Sequence, residues 1–86
     1  MNQMKRIGFL KEYLVLKKYE SKGYIVYRVP MSNMPFDILA INKNTGEILF
    51  IEVKSKGSRL SMRQEMFREM IEMRSDWIVK YVVEVV

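Results

Sequence analysis

The chain contains no cysteine and no histidine among its 86 residues. Disulfides and thiolate metal centres are therefore excluded, and a zinc site or an imidazole base is not expected. Any metal would have to be held by carboxylates and carbonyls, which points to a hard cation, Mg²⁺ or Mn²⁺. Long apolar runs are also missing, since none approaches the roughly 20 residues that cross a bilayer. The opening stretch MNQMKRIGFLKEYLVLKKYE has neither a long uncharged core nor a small-residue cleavage site, so it does not resemble a signal peptide. A soluble, cytoplasmic and nucleoid-associated protein with no membrane partner is expected. The charge balance is short of acid, at a net +5, which suits a polyanionic partner.

The residues present are 49% apolar and 29% charged, too hydrophobic for disorder. A single domain over residues 1–86 is expected, near the lower size at which one core holds a chain without staples. Gln3 to Ser21 lacks proline and spaces Ile7, Leu10 and Leu14 as a helix does, with Gly23 suited to a left-handed cap behind it. YIVYRVP, FDILAI and ILFIEVK read as strands, the last two joined by the turn NKNTGE. Ser61 to Gln64 forms a capping box, opening a helix that runs to about Arg74, and Trp77 to Val86 reads as a final strand. The order α-β-β-β-α-β implies an α/β fold, a short mixed sheet flanked by two helices, with a parallel crossover between the last two strands.

Acids gather where the strands end. Folding the hairpin about Asn44 and Thr45 sets Asp37 opposite Glu52 on one face, with side-chain carbons about 5 Å apart. Lys54 lies two residues along that face. Like charges so placed destabilise a sheet unless something positive stands between them, which Lys54 or a divalent cation could do. Glu12 sits on the first helix with Gly8, Phe9, Val15 and Leu16 three and four residues away, so its carboxylate should approach the sheet and find a partner there, Lys54 or the same metal.

Asp37 followed by Glu52-Val53-Lys54 resembles the signature of the PD-(D/E)xK nucleases. The likeness is fuller with the archaeal-type Holliday junction resolvases, in Gly8, Glu12, Gly23-Tyr24, the Arg28-Val29-Pro30-Met31-Ser32 stretch, Asp37-Ile38-Leu39-Ala40 and IEVKSK, covering about Lys5 to Lys56. The resemblance implies a restriction-endonuclease-like core and a Mg²⁺-dependent, structure-selective DNA endonuclease. Asp37 and Glu52 would be metal ligands, Glu12 would complete or orient the metal site, Lys54 would be the catalytic lysine, and Ser32 would lie near the scissile phosphate. RLSMRQ is similar to a pattern of viral-type replication-repair nucleases, which leaves Gln64 open as a site residue or only a helix cap.

Lys5, Arg6, Lys11, Arg28, Lys56, Arg59 and Arg63 are the basic residues expected to contact phosphates of branched or duplex DNA. Met62, Met66, Met70 and Met73, with Phe67 and Ile71 nearby, are expected first to pack against the sheet. The excess apolar width suggests a homodimer. Another nuclease on the same core, nicking, restriction-like or viral in type, and a DNA-binding module without catalysis are the alternatives.

Overall fold

The computed structural model describes residues 3–29, 34–73 and 78–86, with side chains from residue 8 onward. Ser32 and Trp77, and the side chains of Lys5 and Arg6, lie outside the described residues. The elements are α1 (Gln3–Ser21), β1 (Tyr24–Arg28), β2 (Ile38–Asn42), β3 (Ile48–Lys54), α2 (Met62–Glu72) and β4 (Val79–Val85). This is the α/β order read from the sequence. β2 begins at Ile38, two residues later than the apolar pattern suggests.

α1 ends where Lys22 and Gly23 donate their N–H groups to the carbonyls of Tyr19 and Glu20, with Gly23 at φ 92°. Only glycine takes that left-handed conformation without steric cost. The sheet order is β1-β2-β3-β4. β1/β2 and β2/β3 are antiparallel, and β3/β4 are parallel across the α2 crossover. The β2–β3 turn is closed by Asn42, whose Oδ1 accepts from the N–H groups of Asn44 and Thr45 at 2.9 and 3.1 Å. That closure pairs Ile41 with Ile48 and Ile38 with Ile51. One further step in the same register sets Asp37 against Glu52.

Alternation along the strands divides the packing between two faces. Ile38, Ala40, Leu49 and Ile51 are buried beneath Val15 and Tyr19 of α1. The opposite face holds an aromatic cluster, in which Phe36, Phe50, Phe67 and Tyr81 meet with ring centroids 4.8–5.8 Å apart. Phe67 and the buried Ile71 are thus the sheet-facing side of α2.

The methionine stripe does not pack against the sheet as expected. Met62, Met66, Met70 and Met73 are 80%, 65%, 57% and 85% exposed. At 3.6 residues per turn they centre about a third of a turn around α2 from Phe67 and Ile71, and the aromatic rings already fill the space beneath the helix. Leu10 and Leu14 likewise lie on the outer side of α1, while the Glu12–Val15–Leu16 side turns inward. No helix among the described residues is long and apolar enough to cross a membrane.

Candidate active site

Asp37 is fixed at the mouth of β2 by three contacts. Its N–H donates to the Ile51 carbonyl at 2.8 Å, and its carbonyl accepts from Val29 N–H at 2.8 Å. Its carboxylate Oδ2 accepts from Val53 N–H at 2.8 Å. The preceding residues are pinned as well. Phe36 is buried among Phe50 and Phe67, and the Tyr81 hydroxyl donates to the Pro35 carbonyl at 2.8 Å. The aromatic cluster under α2 therefore holds the first acid in place.

Glu52 lies near the end of β3 and is the buried charged residue among those described, 5% exposed. Burial pushes its pKa up to about 7, and the Asp37 charge and a hydrogen bond between the two carboxyl groups act in the same direction. Lys54 opposes the shift, its Nζ lying 3.4 Å from Glu52 Oε2. Asp37, Glu52 and Lys54 thus meet at one end of the sheet, as the hairpin register predicts. The two acids repel because only part of their charge is compensated.

Gln64 is a helix cap and also contacts the candidate site. Its Oε1 accepts from Ser61 N–H at 2.8 Å, and its backbone N–H donates to Ser61 Oγ at 3.2 Å, completing the capping box. Its Nε2 meanwhile donates to Glu52 Oε2 at 2.7 Å. The N-terminus of α2 is thereby tied directly to the buried acid. The "RLSMRQ" pattern was the signal for this, and the cap alone does not account for it.

Glu12 reaches the same end of the sheet from α1, but its partner is Arg28. Arg28 Nε donates to Glu12 Oε1 at 2.9 Å, and the guanidinium lies 4.7 Å over the Phe9 ring centroid. Burial and then the Asp37 charge raise the Glu12 pKa, while Arg28 works against both. Sequence reasoning foresaw a partner for Glu12 but named Lys54 or a metal. The missed signal was Arg28 at the end of β1, the strand that abuts Asp37. Among the described residues no three His, Cys, Asp or Glu side chains converge closely enough to form a metal cluster.

Around the acids, Lys11 Nζ donates to Ser55 Oγ at 2.8 Å, joining α1 to the segment after β3. Lys56, Arg59 and Arg63 are exposed on that segment and on the first turn of α2. Basic side chains therefore stand on both sides of the Asp37–Glu52 pair, from α1 and from the β3–α2 connection.

Comparison with known proteins places this arrangement. A solved structure described as a VRR_NUC domain shares the fold, with a TM-score of 0.61 and 24% identity over 80% of this chain and 74% of that one. No curated protein matches the chain. The family model for archaeal Holliday junction resolvase (hjc) matches residues 3–80. Fold and acid motif together define a nuclease core of the PD-(D/E)xK class. Within that class, the chain belongs to the archaeal Holliday junction resolvase family.

Proposed function

We propose that this protein is a metal-dependent, structure-selective DNA endonuclease that hydrolyses phosphodiester bonds in four-way junctions. Family membership supplies the nuclease class and the DNA substrate, and members of the class generally use divalent metals. The observation that carries the finer reading is the Asp37–Glu52 pair with Lys54 beside it at the end of the sheet.

The residues fit a hard divalent cation, Mg²⁺ or Mn²⁺. Both donors are carboxylate oxygens, and a cation would relieve the mutual repulsion that Lys54 offsets only in part. Asp37 and Glu52 would hold it. When bound, such an ion supplies an acidified water and charge neutralisation at the phosphate.

The chain's own side chains do the remaining work. Val53 N–H orients the Asp37 carboxylate, and Gln64 Nε2 orients that of Glu52. Lys54, 21% exposed at its side chain, can turn its ammonium to the attacking water or to charge developing on the phosphate. Lys11, Arg59 and Arg63 supply phosphate contacts that select shape rather than sequence. Two copies of the chain, joined by an isologous interface, would present two such sites to the two-fold related strands of a junction.

The test is cleavage of a labelled immobile four-way junction and its matching linear duplex by wild type and Glu52→Ala, each with Mg²⁺ and with EDTA. Paired symmetric cuts in the junction alone, absent with EDTA and in the variant, are expected. Equal cutting of both DNAs would remove junction selectivity and leave another nuclease on this core. Tight junction binding without any cutting would make the protein a binding module.

A further inference from the structure

We propose that Tyr81 is a positioning residue for Asp37, its hydroxyl fixing the Pro35–Phe36 peptide and so the direction in which the chain enters the first acid. The inference rests on the reading of Asp37 and Glu52 as the metal pair. Its geometric basis is the hydrogen bond of 2.8 Å from the Tyr81 hydroxyl to the Pro35 carbonyl, which ties β4 to the segment before β2.

Proline has no N–H, so the carbonyl is the one hydrogen-bonding group on the Pro35 backbone. Pro35 is buried, and a buried carbonyl deprived of its donor drives the chain to shift toward another. The proline ring also locks φ at about −65°. The soft dihedral left at Pro35 is therefore ψ. The hydroxyl sets it, because the carbonyl lies in the rigid plane of the Pro35–Phe36 peptide. Phe36 follows with its ring buried against Phe50 and Phe67, at centroid distances of 4.8 and 5.7 Å.

The ladder alone leaves Asp37 freer than this. Its N–H and carbonyl are held by Ile51 and Val29, but its carboxylate is oriented by the Val53 N–H. Asp37 is also the last residue before β2, so a turn of the preceding peptide passes straight into it. Such a turn would draw the carboxylate away from Val53 and from Glu52. Tyr81 is itself well placed to prevent it. It pairs with Phe50 in the parallel register, and its ring packs edge-on against Phe67 at 5.8 Å. Burial, then the charges of Glu52 and Asp37, push its pKa up, so the phenol stays a donor. Its one hydrogen goes to Pro35, so Tyr81 acts through the backbone rather than on either carboxylate.

Tyr81→Phe removes the hydroxyl and keeps the ring. Tyr24→Phe is the control, since the Tyr24 hydroxyl donates to Glu47 at the far end of the sheet. Mn²⁺ affinity by calorimetry, junction affinity in EDTA, melting temperature and single-turnover junction cleavage would be measured on both, on wild type and on Asp37→Asn. Groups that hydrogen-bond a metal's ligands are worth about 10–100-fold in metal affinity, and Tyr81 stands one step further out. Tyr81→Phe should therefore bind Mn²⁺ about five-fold more weakly and cleave more slowly by a similar factor. Its junction affinity in EDTA should stay within about two-fold of wild type, because the basic side chains are untouched. Tyr24→Phe should lower the melting temperature as Tyr81→Phe does, yet keep Mn²⁺ affinity within about two-fold of wild type.

Unchanged Mn²⁺ affinity in Tyr81→Phe, or an equal loss in both tyrosine variants, would overturn the proposal. If Tyr81→Phe does not fold, wild type decides. Coupling between sites is reciprocal, so Mg²⁺ at the acids must slow hydrogen exchange of the Tyr81 hydroxyl, read from the isotope shift of its ring carbon with Tyr24 as reference. Exchange at Tyr81 that ignores Mg²⁺ would overturn the proposal as well. Equal Mn²⁺ binding by wild type and Asp37→Asn would overturn the metal-pair reading instead. Wild type that binds Mn²⁺ and cuts no DNA would overturn the nuclease reading, with the role of Tyr81 still decided by calorimetry.

Discussion

Burial and the Asp37 charge hold a proton on Glu52 to about pH 7 in the metal-free protein, whereas an unfolded glutamate releases it near 4.5. The folded state therefore binds the extra proton between those values, and stability must fall as pH rises through that window. Glu12, also raised, acts with the same sign, while Glu47 and Glu84 are lowered and lose their contributions only below their unfolded value. Urea unfolding in EDTA should show stability declining by roughly 2 kcal/mol from pH 5 to pH 8, most of it absent in Glu52→Gln. Millimolar Mg²⁺ should restore wild-type stability at pH 8, since a ligand of the folded state alone stabilises it by mass action. A flat pH profile in wild type would mean that Glu52 is not held buried beside Asp37 as the geometry requires.

At the scale of the element, the first turn of α2 joins a structural device to a chemical one. Ser61 Oγ accepts from the Gln64 backbone, while the Gln64 side chain separately holds Ser61 N–H and Glu52. Ser61→Ala removes the first bond and leaves the other two, so it should cost about 1 kcal/mol of stability. Cleavage well below the melting temperature should stay within about three-fold of wild type. Gln64→Ala removes the anchor of Glu52 as well, and cleavage should fall ten-fold or more at similar stability. Equal effects on cleavage would reduce Gln64 to a cap.

Element order, hairpin register and the parallel crossover were legible because period-2 apolar runs and the turn built on Asn42 and Gly46 leave few other pairings. From the register followed the meeting of Asp37, Glu52 and Lys54. Which side of α2 faces the sheet was not legible, because a helix carrying Phe67 and Ile71 on one side and four methionines on another satisfies helical periodicity either way. The choice was made by Phe36 and Tyr81, distant in sequence, whose rings demand Phe67 between them. The Glu12–Arg28 pair was hidden for a similar reason, since it spans α1 and β1 and no local spacing announces it.

For the whole molecule, the outward methionines of α2 are an apolar stripe left exposed by the described residues, and such a stripe suits an interface. A second copy is the proposed occupant, because a two-fold axis lays the same stripe against itself and pairs the two candidate sites. α1 offers a competing surface in Phe9, Leu10, Tyr13 and Leu14, also exposed. Light scattering on wild type, Met66→Lys and Leu14→Lys distinguishes the two. Wild type should have the mass of a dimer at micromolar concentration, Met66→Lys that of a monomer, and Leu14→Lys should remain dimeric. Because one Asp37–Glu52 site would cut one strand, the Met66→Lys monomer should still nick a junction but lose the coordinated second cut. A monomer produced by Leu14→Lys instead would move the interface to α1, and a dimer that survives both charges would exclude either helix as its seam.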